Sequence, residues 1–469
     1  MARYRCLICQ YVYNDKTEGV PFDELPPDWT CPVCGAGRAE FEKLEDEPPP
    51  PPPGPAEAII EGKGLAEFRR PSDELEGHMA DIQRMALTGE SVIEPMRTRK
   101  PVVSWDDILI KGAQLARRPL DRDAHVETRT VIGPKARQPL TIGTPIIVAH
   151  MSFGALSKEA QSALALGSGA AGTAMCSGEG GILPEALGMA HRYIFEYVPN
   201  LYSVNEANLK RVDAVEIKFG QSAKPGLGGH LPGSKVTAEI AAIRGFPEGA
   251  DIISPSRFPD VATRQDLRRK VEELRRLSGG RPVGLKIAAG HIERDLEFAL
   301  AAGPDFITVD GRAGGTGAAV KFVKDATSVP TVYALHRARK YLDDRGVKDV
   351  TLIITGGLRV SSDFAKALAL GADAVAVGTA ALMAIGCQQY RICDSGRCPV
   401  GIATQDPGLR ARLNVEESAR WLANFIRVST EELQDFARLT GHPNVHDLSV
   451  DDLLTTSSEV SEHTSIEHA

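Results

Sequence analysis

VGLKIAAGHIERDLEFALAAGPDFITVDG, residues 283–311, reads as a strand, a glycine-bearing loop, a helix rich in Ala and Leu, a turn and a second strand. The same alternation recurs from residue 140 onward. Candidate strands are Pro145–Ala149, Ala170–Met175, Val212–Phe219, Asp251–Ser254, Val283–Ile287, Phe306–Asp310, Leu352–Thr355 and Ala374–Val377. Near-continuous apolar runs suit parallel strands covered on both sides. Eight such units within about 240 residues predict a closed (β/α)8 TIM barrel. A doubly wound open sheet is the alternative. Beyond residue 386 the repeat stops. The barrel is therefore expected over 57–415, with a helical extension over 416–469 whose last dozen residues read as disordered.

The chain has 469 residues, 42% hydrophobic and 25% charged, with a formal net charge of −8. That is the profile of a globular protein with room for one large and one small domain. No Lys/Arg cluster stands out, which argues against a nucleic-acid partner. No run approaches the roughly 18 apolar residues of a membrane span. The stretch from Met1 to Cys6 enters a cysteine motif without an apolar signal segment, so the expected location is the cytoplasm. Residues 46–56 contain Pro48 to Pro53 and then Gly54-Pro55, a stiff, extended spacer after a first module over 1–45. Residues 56 to about 100 are polar and read as helical.

The eight cysteines are grouped. Cys6-x2-Cys9 and Cys31-x2-Cys34 are paired knuckles, each turning two thiolates toward one point to make a tetrahedral S4 site for zinc or iron. Cys387, Cys393 and Cys398 place three thiolates in twelve residues. A [3Fe-4S] cluster needs three cysteines where [4Fe-4S] takes four, although three unligated thiols would give the same spacing. Cys176 stands alone and reads as a barrel-interior residue. Gly167 to Gly172 satisfies GxGxxG, but the order is helix, glycines, strand, the reverse of a dinucleotide fingerprint. It reads as a tight turn, so no nicotinamide domain is expected and electrons would come from another protein.

Tyr11, Tyr13, Phe22, the run Leu25-Pro26-Pro27-Asp28-Trp29, Cys31-Pro32-Val33-Cys34-Gly35 and Phe41 resemble rubredoxin. The resemblance implies mononuclear iron carrying one electron. Gln10, where that family has glycine, and a shortened loop near Val20 depart from it. GCQQYRICDSGRCPVGIATQ (386–405), EIKFGQSAKPGLGGHLPGSKV (216–236) and GGTGA (314–318) resemble the synthase domain of glutamate synthase, including its stand-alone and archaeal-type versions. That resemblance covers residues 95 to 415. It implies FMN, a [3Fe-4S] cluster on Cys387, Cys393 and Cys398, and reductive amination of 2-oxoglutarate.

Barrel sites sit in the loops after the strands, and the resemblance assigns roles there. Lys218, Gln221, Lys224 and Arg244 are expected to contact 2-oxoglutarate or the flavin, the cations Lys218, Lys224 and Arg244 clamping the dicarboxylate, with Glu179 as the acidic loop residue beside the substrate. Met151, Ser152, Lys286, Gly315 and Thr316 are expected at the flavin, Lys286 near N1. Gly356, Gly357, Gly378 and Thr379 are expected to grip its phosphate through backbone N–H groups. Ser222 and Ser256-Arg257-Phe258 depart from the family pattern on the substrate side. No glutaminase segment of that family is read in this sequence, so ammonia or another amine is expected from solution or a separate amidotransferase subunit, and electrons from a reductase. N-methylglutamate synthesis and electron supply to an oxygen- or peroxide-reducing partner are the other readings.

Overall fold

The computed structural model describes residues 2–9, 11–44, 70 and 72–469. The proline spacer over 46–56 and Gln10 lie outside them. The chain divides into two units, Met1–Ile93 and Glu94–Ala469.

In the first unit, the strand Arg3–Cys6 lies between Val12–Asn14 and Phe41–Leu44, antiparallel to both. So small a sheet has few aliphatic side chains to bury, and aromatic rings form its core instead. Tyr4 stacks on Phe22 at 4.1 Å, and Tyr13, Trp29 and Phe41 close around Phe22 at 5.0–5.7 Å. A separate helix, Met79–Thr88, ends at Gly89 in the left-handed region.

The second unit is a closed parallel barrel. Its strands are β1 (Ile146–Val148), β2 (Ala174–Cys176), β3 (Arg192–Tyr197), β4 (Ala214–Lys218), β5 (Val283–Ala288), β6 (Phe306–Asp310), β7 (Thr351–Thr355) and β8 (Ala374–Val377). Seven sequence-predicted strands fall at or near these positions. The prediction missed β3 and placed a barrel strand at Asp251–Ser254. There, Ile252–Ile253 instead pairs with His230–Leu231 in a separate antiparallel ribbon. Glu196 breaks the apolar run of β3, whereas Ile252–Ile253 resembles a buried strand although Ile253 is 69% exposed. The predicted third strand, bearing Lys218, is therefore the fourth.

Side chains alternate along the barrel strands. Ile307, Val309, Leu285 and Val215 join the large cluster outside the barrel. Ile147, Ala174, Ile194, Ala214, Phe306, Ile353 and Ala374 fill its interior, where Ile132, Leu140 and Ile142 of the antiparallel pair Thr130–Ile132/Leu140–Ile142 join them. Gly284 pairs with Phe306 across β5 and β6. A Cβ on Gly284 would lie 2.2 Å from the Phe306 ring, so only glycine leaves room for it.

The helix Lys158–Ala170 starts at Ser157, whose hydroxyl accepts from the Ala160 N–H at 3.1 Å. Gly167 and Gly169 belong to this helix, and Gly172, at φ +66°, turns the chain toward β2. A Cβ at Gly167 would meet the Ala419 carbonyl at 2.7 Å, so this glycine permits close packing on the long helix Val415–Thr440. The C-terminal residues are ordered, contrary to the sequence reading. Ser458–His463 is helical, and Glu467–His468 joins Leu453–Thr455 and Ile108–Ile110 in a three-stranded sheet. Val460 and Ile466 are buried and anchor a segment that looked polar enough to be free.

Candidate active site

Lys218, at the end of β4, donates to Glu179 of the loop after β2 and to Gln221 Oε1 at 2.7 Å. Lys224 donates to the other Glu179 oxygen at 3.2 Å. Burial opposes ionisation of Glu179, but the two ammonium groups outweigh it and hold the carboxyl far below its ordinary range. Glu179, Lys218, Gln221, Ser254, Ser256 and Arg257 line an open cavity here. The ribbon fits over this site because of the glycines after Lys224. A Cβ at Gly228 would lie 1.8 Å from the Ser254 carbonyl oxygen.

Arg244 does not line this cavity. Its guanidinium is buried, donates to the Phe153 carbonyl at 2.7 Å and lies 5.4 Å from the centre of the Tyr202 ring. A Cβ at Gly154 or Gly180 would strike it. It braces the loops after β1 and β2 from behind.

Beneath the mouth, the barrel interior carries a layer of charge of which the sequence reading assigned only Lys218 and Lys286. Lys286 on β5 lies 3.5 Å from Glu196 on β3, and Lys218 lies 3.9 Å from the same Glu196 oxygen. Glu216 on β4 contacts His150 and accepts from Thr308. Burial disfavours charge on His150, yet Cys176 and Glu216 raise its pKa to about 10. Burial likewise pulls Lys286 down, and Glu196, Asp310 and Glu216 more than offset it. Ligand atoms of His150, Glu196 and Glu216 gather within 4.8 Å of one another, close enough for a metal ion. The two carboxylates are already matched by Lys286 and a protonated His150, so the layer balances without one. Spacing could not reveal this layer, because its charged members come from four different strands or their ends.

Gly356 and Gly357 end β7 with φ +116° and +88°. A Cβ at Gly357 would strike Ala313 of the loop after β6, and one at Gly315 would strike the backbone of Met96 and Arg97. Arg359, in the loop after β7, has a buried Nη2 with no hydrogen-bond partner. Burial and the nearby Arg359 and Arg391 pull the Arg97 guanidinium down. Three converging cations with an orphaned donor beside left-handed glycines suit an anionic group such as phosphate. Arg97 and Arg359 escaped the sequence reading because a lone arginine in a loop carries no pattern.

Cys387, Cys393 and Cys398 line a second cavity with Met96, Gln389 and Val400. A Cβ at Gly317, in the loop after β6, would lie 3.1 Å from Cys393 Cβ, so this loop abuts the cysteine segment. Lys235 donates to the Cys393 carbonyl at 2.7 Å. In the first unit, Cys6–Cys34 and Cys9–Cys31 sulfurs are each 3.6 Å apart. Metal–sulfur bonds of about 2.3 Å put the sulfurs of a tetrahedral site roughly 3.8 Å apart, so the four fit one ion. The four gather within 4.8 Å of one another. Among the described residues, the three C-terminal thiols form no such group.

Residues 108–443 match the family model for the conserved region in glutamate synthase. The chain belongs to the glutamate synthase family. Residues 3–41 match the rubredoxin model. A glutamate synthase large subunit-like protein of Rhizobium meliloti is 38% identical over 401 residues, covering 81% of this chain and 91% of that protein. The archaeal glutamate synthase [NADPH] of Methanocaldococcus jannaschii is 38% identical over 401 residues, covering 78% of each. The archaeal-type enzyme of Thermotoga maritima is 35% identical over 409 residues, covering 81% of this chain and 80% of that one. This chain is thus a glutamate synthase-like oxidoreductase barrel with an N-terminal rubredoxin domain. No helix among the described residues is long and apolar enough to cross a membrane.

Proposed function

We propose that this chain reductively aminates 2-oxoglutarate to L-glutamate, using FMN, a [3Fe-4S] cluster on Cys387, Cys393 and Cys398, and rubredoxin-type iron on Cys6, Cys9, Cys31 and Cys34. The observation that carries the reading is the pair Lys218 and Lys224, both held by Glu179 at a barrel mouth whose interior presents Lys286. Two cations clamped on an internal carboxylate form a site in which an incoming carboxylate can replace Glu179. Gln221, bonded to Lys218, supplies an amide to orient the keto end. The released Glu179 is placed to take or give a proton at the reacting nitrogen.

The orphaned Arg359 Nη2, Arg97 and the glycines Gly356, Gly357 and Gly378 would hold the FMN phosphate. Lys286 would lie by the ring, with its charge kept by Glu196. FMN, when bound, supplies two-electron hydride chemistry and accepts single electrons. The contact between Gly317 and Cys393 supports a cluster next to that site. The names of the archaeal-type relatives support NADPH as the ultimate reductant, through a separate reductase. The amine would come from solution or a separate ammonia-supplying subunit.

The test is anaerobic turnover of the reduced holoprotein with 2-oxoglutarate and either ammonia or methylamine, with products identified by mass. Glutamate from ammonia is the expected product. N-methylglutamate alone would reassign the amine, and no amino acid from flavin-loaded protein would overturn the reading.

A further inference from the structure

Glu196 is 1% exposed and lies inside the barrel. Its Oε1 faces two ammonium groups, Lys286 at 3.5 Å and Lys218 at 3.9 Å. Its Oε2 is buried and has no hydrogen-bond partner. An isolated carboxylate in such a place would be costly, and only nearby cations make its charge tolerable. The two lysines are registered opposite each other on β4 and β5, yet their ammonium groups serve different ends. Lys218 reaches up to Glu179 and Gln221 in the open cavity, while Lys286 stays inside the barrel near Asp310 and Glu216.

We infer that Glu196 is a positioning residue that couples the substrate clamp to the flavin cation by serving as the shared counter-ion of Lys218 and Lys286. The inference rests on the proposed function above. With Glu196 in place, Lys218 is divided between Glu196 and Glu179, which loosens its grip on Glu179 and eases replacement by substrate. The same carboxylate offsets part of the Lys286 charge. Removing it has two opposite-ended consequences. Lys218 shifts wholly to Glu179, so the dicarboxylate must break a tighter pair. Lys286 becomes a less compensated cation, which favours the anionic reduced ring and raises the flavin midpoint potential.

The test compares wild-type holoprotein with Glu196→Gln, Glu196→Asp, Lys218→Met and Lys286→Met. The readouts are flavin midpoint potential, Kd for 2-oxoglutarate on the oxidised protein, the KM-against-kcat split, and melting temperature. Glu196→Gln is expected to weaken 2-oxoglutarate about tenfold, chiefly in KM, and to move the potential positive. Lys286→Met should move the potential negative and leave the Kd near wild type. Lys218→Met should do the converse, raising the Kd and sparing the potential. Glu196→Asp keeps the charge, one methylene back, and should recover most of both effects, which also guards against a merely unfolded Gln variant.

Wild-type potential and Kd in folded Glu196→Gln would overturn the inference, as would a change in only one of them. Failure of the underlying reading would show earlier and separately, as wild-type protein that holds no flavin or does not bind 2-oxoglutarate, and would overturn both.

Discussion

Replacing Gly284 with alanine tests the register on which the whole interior of the barrel depends. The added methyl would lie 2.2–2.4 Å from three atoms of the Phe306 ring. Carbon atoms prefer about 3.5–4.0 Å, so ring or strand must move by roughly 1.3 Å. Phe306 is wholly buried and shares its layer with Ile353 and Ala214, which leaves the ring little room to retreat. Overpacking of this kind costs about 1–3 kcal/mol. Unfolding entropy is about 2.1 cal/mol/K per residue, so a unit of about 380 residues responds at roughly 0.8 kcal/mol per kelvin. Gly284→Ala should therefore melt about 1–4 °C below wild type in calorimetry of the holoprotein. Gly290→Ala is the control, because the nearest atom to its Cβ would be 4.0 Å away. Equal melting of the two variants would refute the inward register of β5, and with it the inward placement of Lys286 two residues on.

Anaerobically prepared protein should hold about four iron per chain, one on the first cysteine group and three on the second; stoichiometric zinc with no cluster signal in EPR would contradict this. A bulky residue at Gly378 should leave an apoprotein, whereas Lys286→Ala should weaken FMN retention or shift its potential, and full FMN in a purified Gly378→Leu variant would reassign the phosphate loop. A chain starting at Ala56 should keep dithionite-driven turnover and lose reductase-driven turnover, since the first iron is the expected entry port; equal reductase-driven rates would place entry elsewhere. His150 has a pKa raised to about 10 from an ordinary 6.5. Its stabilisation is fully present below about 6.5 and lost as pH rises through 10. The fall in melting temperature across that window should be shallower in His150→Gln, and equal slopes would count against the His150–Glu216 pair.

The barrel was legible because seven of its strands announce themselves as short apolar runs between glycine-bearing loops. β3 was not, since a strand carrying Arg192 and Glu196 breaks the very signal used to find strands. The cysteine groups were legible from spacing, Lys218 and Lys224 from the segment 216–236, and Glu179 only from the wider resemblance. His150, Glu196 and Glu216 were not recognised as one set, because closing a barrel brings together residues that the sequence keeps apart. Arg244 shows the reverse failure. The wider resemblance suggested the cavity, but the short helix Ala238–Arg244 turns its side chain toward Phe153 and Tyr202.

The small sheet joining Ile108–Ile110 to Leu453–Thr455 and Glu467–His468 bears on how this protein is made. The strand from the start of the barrel unit waits for partners more than three hundred residues later. On a ribosome adding about 5–20 residues per second, that wait lasts tens of seconds. Ile110 pairs with Leu453, the most distant kind of contact, and such contacts form late. The eight strands can assemble beforehand, but the seam cannot close until residues 453–468 have emerged. A nascent chain stalled in the long helix Val415–Thr440 would already carry all seven grouped cysteines while its edge strand stayed bare, open to holdase chaperones and to proteases. Quality control would then sense the emergence of residues 453–468 at this seam rather than that of the cysteine groups.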